Sequence, residues 1–243
     1  MNLAEIAALL GLNLVLSLAV MTAAWAVVRR TGRFGLVDAM WPLVMLLAAA
    51  TTFLIVDGDP VRKALLVWLT AVWAVREAWR GLSPRIRIEA DARYAQAFEG
   101  GAGFRASAAA PLLLCFLPQA ALAWLTALPA QLGQVTYEPG VGWIGWSGAV
   151  LAVAGLAVSG LGDLRRTAFR KQPPAAGGVL ARVWRRWRGR PDYAGDIAVW
   201  WGLFLIAAET GPGRWSLIGP LFLTWTLAHW AKTENPRRVS DGG

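Results

Sequence analysis

The sequence predicts an all-α, polytopic membrane protein with about seven transmembrane helices, its N-terminus outside and its C-terminus in the cytoplasm. Three observations predict it. First, hydrophobic residues make up 56% of the 243-residue chain and charged residues only 16%, with a mean hydropathy of +0.45; soluble domains average about 45–50% apolar and roughly 25% charged. Second, the apolar residues gather into uncharged runs, several of them long enough to supply the ~20 helical residues that cross ~30 Å of hydrocarbon. Third, the 24 Lys and Arg residues divide very unevenly among the segments between those runs. This composition excludes a disordered chain, a secreted disulfide scaffold and an ordinary soluble enzyme. A single cysteine, Cys115, excludes an intrachain disulfide, and a single histidine, His229, excludes a multi-His metal site. The length fits one integral membrane domain over 1–243.

The runs follow in order. Ile6–Val28 is uncharged, with Glu5 before it and Arg29, Arg30 and Arg33 after it. A signal peptide would carry its positive charge in front, so this run reads as a retained helix. Ala39–Val56 is the second run, entered through Asp38, and Asp57-Gly58-Asp59-Pro60 makes the turn that follows. Ala64–Val75 is too short alone. Val61–Trp79 spans if Arg76 and Glu77 pair at the interface. Ala106–Tyr137 contains Pro111, Pro118 and Pro129 and reads as one helix plus an apolar loop. Pro139–Gly162 is long enough to span; Ile197–Ala208 and Trp215–Ala231 close the series, separated by Gly211-Pro212-Gly213.

Cytoplasmic loops collect Lys and Arg. With seven spans and the N-terminus outside, segments 29–37, 76–105, 163–194 and 232–243 face inward and hold 21 of the 24 basic residues, leaving Arg62, Lys63 and Arg214 outside. Dropping the third span would put basic segments on opposite sides. Trp25, Trp79, Trp143, Trp146, Trp215 and Trp230 lie near run ends, as an interfacial aromatic belt requires. His229 and Cys115, on apolar stretches, read as packed core residues. Tyr94, in a charged loop, reads as solvent-facing.

The net charge is +9. Nucleic acid needs a soluble basic face, which this chain lacks; membrane lipids or a bound phosphate are the partners its charges suit. The densest segment runs from Asp163 to Asp196. It carries nine basic residues, interleaved with Trp184 and Trp187, and acids recur at Asp163, Asp192 and Asp196. A pure lipid anchor needs arginines and no acids. A site for a phosphate-rich cofactor uses both.

Within that segment Asp163, Leu164, Phe169, Arg170 and Pro173, then Pro191, Tyr193, Gly195 and Asp196, then Trp200, Trp201 and Gly202 form a pattern. The pattern resembles the DUF1295 family of the steroid 5-alpha-reductase superfamily. Val37-Asp38-Ala39-Met40-Trp41, Trp73, Arg76 and the stretch Glu89–Tyr94 resemble the family's second and third helices and the loop after them. The chain departs from the family's Arg-His-Pro-Asn-Tyr-Phe-Gly-Glu. Gly189 and Arg190 replace Arg-His, Asp192 replaces Asn, and a one-residue insertion is needed if Trp184 keeps its place. An amide donates hydrogen bonds, whereas an ionised carboxylate only accepts them.

The resemblance implies seven spans, a cytosolic NADPH site and reduction of a C=C bond in a lipophilic enone, steroid-like or isoprenoid-like. It assigns Asp163, Arg170, Arg186, Arg190, Asp192, Tyr193 and Asp196 to the cofactor and implies a bacterial inner membrane location. Arginine forks suit the phosphates of NADPH. Asp38, an acid at the start of a membrane run, is the candidate catalytic residue beside the reacting carbonyl; complementing the helix dipole is its other reading. Two alternatives stay open. One is an S-adenosylmethionine-dependent methyltransferase of the isoprenylcysteine carboxyl type, which shares a His-Pro-x-Tyr loop but has no phosphate to bind. The other is a family member without activity. Substrate and protein partners are not legible.

The charge division makes a direct prediction. A fluorescent fusion at Gly243 lights up inside the cell, and an exported-phosphatase fusion at Asp59 is active outside. Phosphatase activity at Lys171 would refute the seven-span arrangement.

Overall fold

The computed structural model describes residues 1–100, 109–171 and 191–233, and all regular structure among them is helical. The first helix, α1 (Leu3–Thr31), begins in a capping box: Glu5 N–H donates to the Asn2 side chain at 2.9 Å, and the Glu5 carboxylate accepts from Asn2 N–H at 2.9 Å. It ends on Gly32, whose φ of +68° only glycine adopts without strain. Helix α2 (Leu36–Ile55) has no side-chain cap of its own. Its N-cap Gly35 donates instead to Asp91, far along the chain, at 2.5 Å. Asp59 caps α3 (Pro60–Gly81), accepting from Arg62 N–H at 2.7 Å, with Pro60 at the first position where a missing N–H costs nothing.

Helix α4 (Pro84–Gly100) follows. A π-helical turn (Leu112–Phe116) leads into α5 (Leu117–Thr126) and the short α6 (Leu128–Leu132). Then come α7 (Trp143–Lys171), α8 (Pro191–Ala208), α9 (Gly211–Arg214), a 3-10 turn at Trp215–Leu217 and α10 (Ile218–Thr233). Among the described residues three helices are long and apolar enough to cross a membrane: Leu3–Thr31, Leu36–Ile55 and Trp143–Asp163. Their windows are mostly unburied by protein, as surfaces facing lipid would be. Every apolar run read from the sequence contains a helix. The Ala106–Tyr137 run divides, as its prolines require, and its apolar helix Leu112–Thr126 is a shorter one.

α7 and α8 pack antiparallel and very close. Glycines seven residues apart line both sides, Gly148 and Gly155 on α7 facing Gly202 and Gly195 on α8. A Cβ on Gly155 would lie 2.6 Å from the Gly195 carbonyl oxygen, and one on Gly148 would lie 2.6 Å from that of Gly202. Small residues let backbones approach where lipid offers no hydrophobic drive between helices. The core beside this pair contains Met21, Met45, Leu66, Phe116, Trp200 and Leu203, all fully buried. Trp73 meets Trp200 edge to face at 5.1 Å.

Two buried polar groups tie the other end of the bundle. Asn13 Nδ2 on α1 donates to Thr52 Oγ1 and to Gln131 Oε1, both at 2.9 Å. Arg62, at the start of α3, is fully buried. Its guanidinium donates to the Pro139 carbonyl and lies 3.9 Å from Glu209. Glu209 in turn accepts from Gly142 and Gly145 N–H at 3.0 and 2.9 Å and so caps α7. Of the six end-placed tryptophans, Trp79, Trp143 and Trp215 are about four-fifths exposed, and the Arg29 guanidinium sits 5.5 Å from the Trp25 ring centre. His229 departs from its reading: it is exposed and stacks on Trp225 at 5.9 Å.

The glycine contact predicts a clear contrast. Gly155→Leu forces α7 and α8 apart and lowers stability by about 1–3 kcal/mol. Gly160→Ala, on the same helix with open space around it, leaves stability unchanged or raises it by up to ~1 kcal/mol. Tryptophan-detected thermal unfolding in detergent distinguishes the two.

Candidate functional site

Two side-chain clusters form at the end of the bundle where α2 begins and α3 finishes. The first belongs to α3, α7 and α8. Trp73, Arg76, Glu77 and Arg80 fall within two turns of α3. Asp163 stands on α7, and Asp192 and Asp196 stand on the first turns of α8. Arg76 Nη1 donates to Asp163 at 2.5 Å, and its Nη2 donates to Asp196 and, at 2.5 Å, to Glu77. Arg80 pairs with Glu77 at 2.5 Å and with Asp192 at 3.4 Å. Asp196, 4% exposed, also accepts from Trp73 Nε1 at 3.0 Å. The Ser159 hydroxyl lies 3.1 Å from both Asp196 Oδ1 and the Asp192 carbonyl oxygen.

The Arg76–Glu77 pair foreseen in the sequence is therefore the middle of a larger network. It joins two guanidinia to four carboxylates. A buried charge is costly unless paired, and this one is paired several times over. The network also joins the two ends of the basic segment: Asp163 precedes it, Asp192 and Asp196 follow it, and Arg76 holds both sides. Tyr193 packs in the core next to these acids. Arg170 lies near the end of α7; Arg186 and Arg190 lie outside the described residues.

The second cluster is built on Asp38 in the first turn of α2. Pro42, four residues on, has no N–H, so the Asp38 carbonyl receives no helical hydrogen bond. The Asp38 carboxylate accepts from the Tyr94 hydroxyl at 2.9 Å and from Arg93 Nη2 at 3.0 Å. Gln119 Nε2 donates to the Tyr94 oxygen and to Cys115 Sγ, each at 3.2 Å. Tyr94 thus departs from its solvent-facing reading. α4 folds back against α2, through Asp91 on Gly35 and Phe34 at 6.3 Å from the Tyr94 ring. Burial first, and the Asp38 carboxylate second, push the Tyr94 phenol well above its ordinary range. The phenol therefore stays protonated at neutral pH and acts as a donor. Arg80 acts electrostatically on Asp38 as well, which places the two clusters side by side.

Sequence reasoning missed Gln119 and Arg80. The signal for Gln119 was an amide inside an otherwise apolar, proline-flanked run. For Arg80 it was the spacing of Arg76, Glu77 and Arg80 on one helical face.

The ion network predicts an asymmetry. Arg76→Ala strands Asp163 and Asp196 and costs about 3–5 kcal/mol, as breaking a buried pair does. Arg214→Ala, on an exposed residue, stays within ~0.5 kcal/mol. Denaturation in detergent, followed by intrinsic fluorescence, measures both.

Comparisons with known proteins agree with the motifs. The profile of DUF1295, described as a protein of unknown function, matches residues 24–238. No curated protein and no solved structure matches the chain. The matched range takes in both clusters and covers most of the sequence, so the chain belongs to the DUF1295 family.

Proposed function

We propose that the protein is an NADPH-dependent membrane reductase of a C=C bond conjugated to a carbonyl in a lipophilic, steroid-like or isoprenoid-like molecule. It has seven spans, its N-terminus outside and its C-terminus in the cytoplasm, in a bacterial inner membrane. The observation that carries the reading is the Tyr94–Asp38 contact of 2.9 Å at the foot of α2. A neutral phenol held by a carboxylate is a proton donor suited to a substrate carbonyl.

The described residues fit the cofactor in part. Arg76 and Arg80 are consumed by four carboxylates, so they have no charge to spare for phosphates. On this reading Arg170, Arg186 and Arg190 bind the phosphates, and Asp163, Asp192, Tyr193 and Asp196 contact the cofactor beside them. NADPH, when bound, supplies hydride.

The chain's own residues do the rest. Tyr94 turns its hydroxyl from Asp38 to the substrate carbonyl and draws electron density from the β-carbon. It then gives its proton to the enolate, and the O–H electron pair stays on the phenol oxygen. Solvent protons return through Asp38, whose charge Arg93 balances. General acid catalysis of this kind contributes roughly 10²–10⁴-fold.

Two variants separate binding from chemistry. Arg170→Ala weakens NADPH binding by roughly 10-fold or more, from the loss of a charge-assisted hydrogen bond. Tyr94→Phe leaves NADPH affinity unchanged and lowers enone-dependent NADPH oxidation by about 10²-fold or more. Fluorescence titration of NADPH into detergent-purified protein checks the first, and absorbance at the nicotinamide band checks the second. Absence of saturable NADPH binding overturns the reading.

A further inference from the structure

The hydrogen bonds around Tyr94 have a direction that the proton-donor role leaves unused. A phenol oxygen has one hydrogen and two lone pairs. The hydrogen goes to Asp38, because an ionised carboxylate only accepts. The group facing Tyr94 from α5 must therefore donate, and this fixes the Gln119 amide with its Nε2 toward the phenol, 3.2 Å away. The same nitrogen uses its other hydrogen on Cys115 Sγ, also at 3.2 Å. Gln119 is thus held from one side and holds Tyr94 from the other.

Its approach is set by an unusual backbone. Leu112–Phe116 forms a π-helical turn in which Leu117 N–H reaches the carbonyl five residues back, at Leu112. Such turns are rare and gather at functional sites. Pro118 follows at once, at the start of α5. Cys115 and Gln119 are four residues apart and share the face turned to α4.

We propose that Gln119 is a positioning residue for the proton donor, fixing the Tyr94 oxygen through its lone pair and sharing the negative charge that oxygen takes when its proton leaves. This rests on the reductase reading for its consequence, though not for its test. The lone-pair contact does not depend on where the O–H points. The hydroxyl can therefore turn from Asp38 to a substrate while the oxygen stays in place. In the transfer, the phenol O–H bond breaks, its proton forms the new bond on the enolate, and its electron pair remains on the oxygen facing the Gln119 N–H. A donor there favours the charged form.

The groups that bear on this phenol come from every neighbouring element. Asp38 faces it from α2, Arg93 stands beside it on α4, Cys115 approaches from the π turn, and Arg80 on α3 acts through Asp38. Gln119 Nε2 donates to the phenol oxygen itself, at 3.2 Å.

The test needs neither cofactor nor substrate. The chain has three tyrosines, Tyr94, Tyr137 and Tyr193. Full-length protein made with a ring-fluorinated tyrosine, whose phenol ionises at lower pH, gives three ¹⁹F resonances. Tyr94→Phe identifies the one of interest. The Tyr94 resonance titrates above the ordinary phenol range. Gln119→Leu moves it further upward by about one pH unit, the size of one lost hydrogen bond. Gln119→Glu, which keeps the shape and removes the donor, also moves it upward. Cys115→Ala, which leaves the donor in place, moves it by no more than a few tenths of a unit.

An unchanged or lowered Tyr94 titration in Gln119→Leu or Gln119→Glu overturns the proposal. So does an equal shift in Cys115→Ala, which would make the effect one of packing. Failure of NADPH to bind overturns the reductase reading and leaves this result standing.

Discussion

Arg76 is the interaction on which the rest depends. Its planar fork reaches Glu77 on its own helix, Asp163 on α7 and Asp196 on α8. At a membrane boundary no member of this set is tolerable alone, because each ion loses water that only its partners replace. The α3 helix cannot leave without stranding charge on two others. Trp73, one turn away, adds an indole N–H to the same carboxylate and an edge contact to Trp200. Polar specificity and apolar packing therefore fix the same three helices. Arg62 and Glu209 repeat the arrangement at the opposite end of α3 with a single pair.

The neighbouring cluster works on a different principle. Asp38 is bonded by a half-exposed arginine, Arg93, and by the neutral Tyr94 hydroxyl, with Arg80 acting from further off. It is less surrounded than Asp196, and its helix lacks one backbone hydrogen bond because of Pro42. The first network is enclosed by charge on every side, and the second leaves its carboxylate about one-third exposed.

Much of this was legible in the sequence, for physical reasons. Lipid demands long uncharged helices, so α1, α2 and α7 stand out from hydropathy alone. The proline-broken run also leaves a visible mark, whereas the glycine seam of α7 and α8 shows only once the helices are packed. Asp38, Asp163, Asp192 and Asp196 were visible as acids at membrane ends. Their partners were harder to see. Arg76 meets Asp163 across 87 residues and Asp196 across 120, and pairing over such separations is a property of the packed bundle. Tyr94 was misread because its loop is polar, whereas the fold turns α4 back onto α2 through Asp91 and Gly35. The burial of Arg62 was not legible either, because an arginine next to a turn normally faces water; here a carbonyl and Glu209 enclose it.

The close glycine seam between α7 and α8 has a consequence for the segment that joins them. With both helices locked side by side and tied at their ends by Arg76, the chain between residues 172 and 190 starts and finishes at points fixed by the bundle. Its closure entropy is then set by contacts outside it. Closing a longer loop between fixed points costs only about 0.6 kcal/mol for each doubling of length. One added residue costs far less than that. The one-residue insertion that keeping Trp184 in the common pattern's place would require is therefore almost free for folding. The helix pair, and not the number of residues that join it, carries the cost of bringing Asp163 and Asp196 to the same arginine.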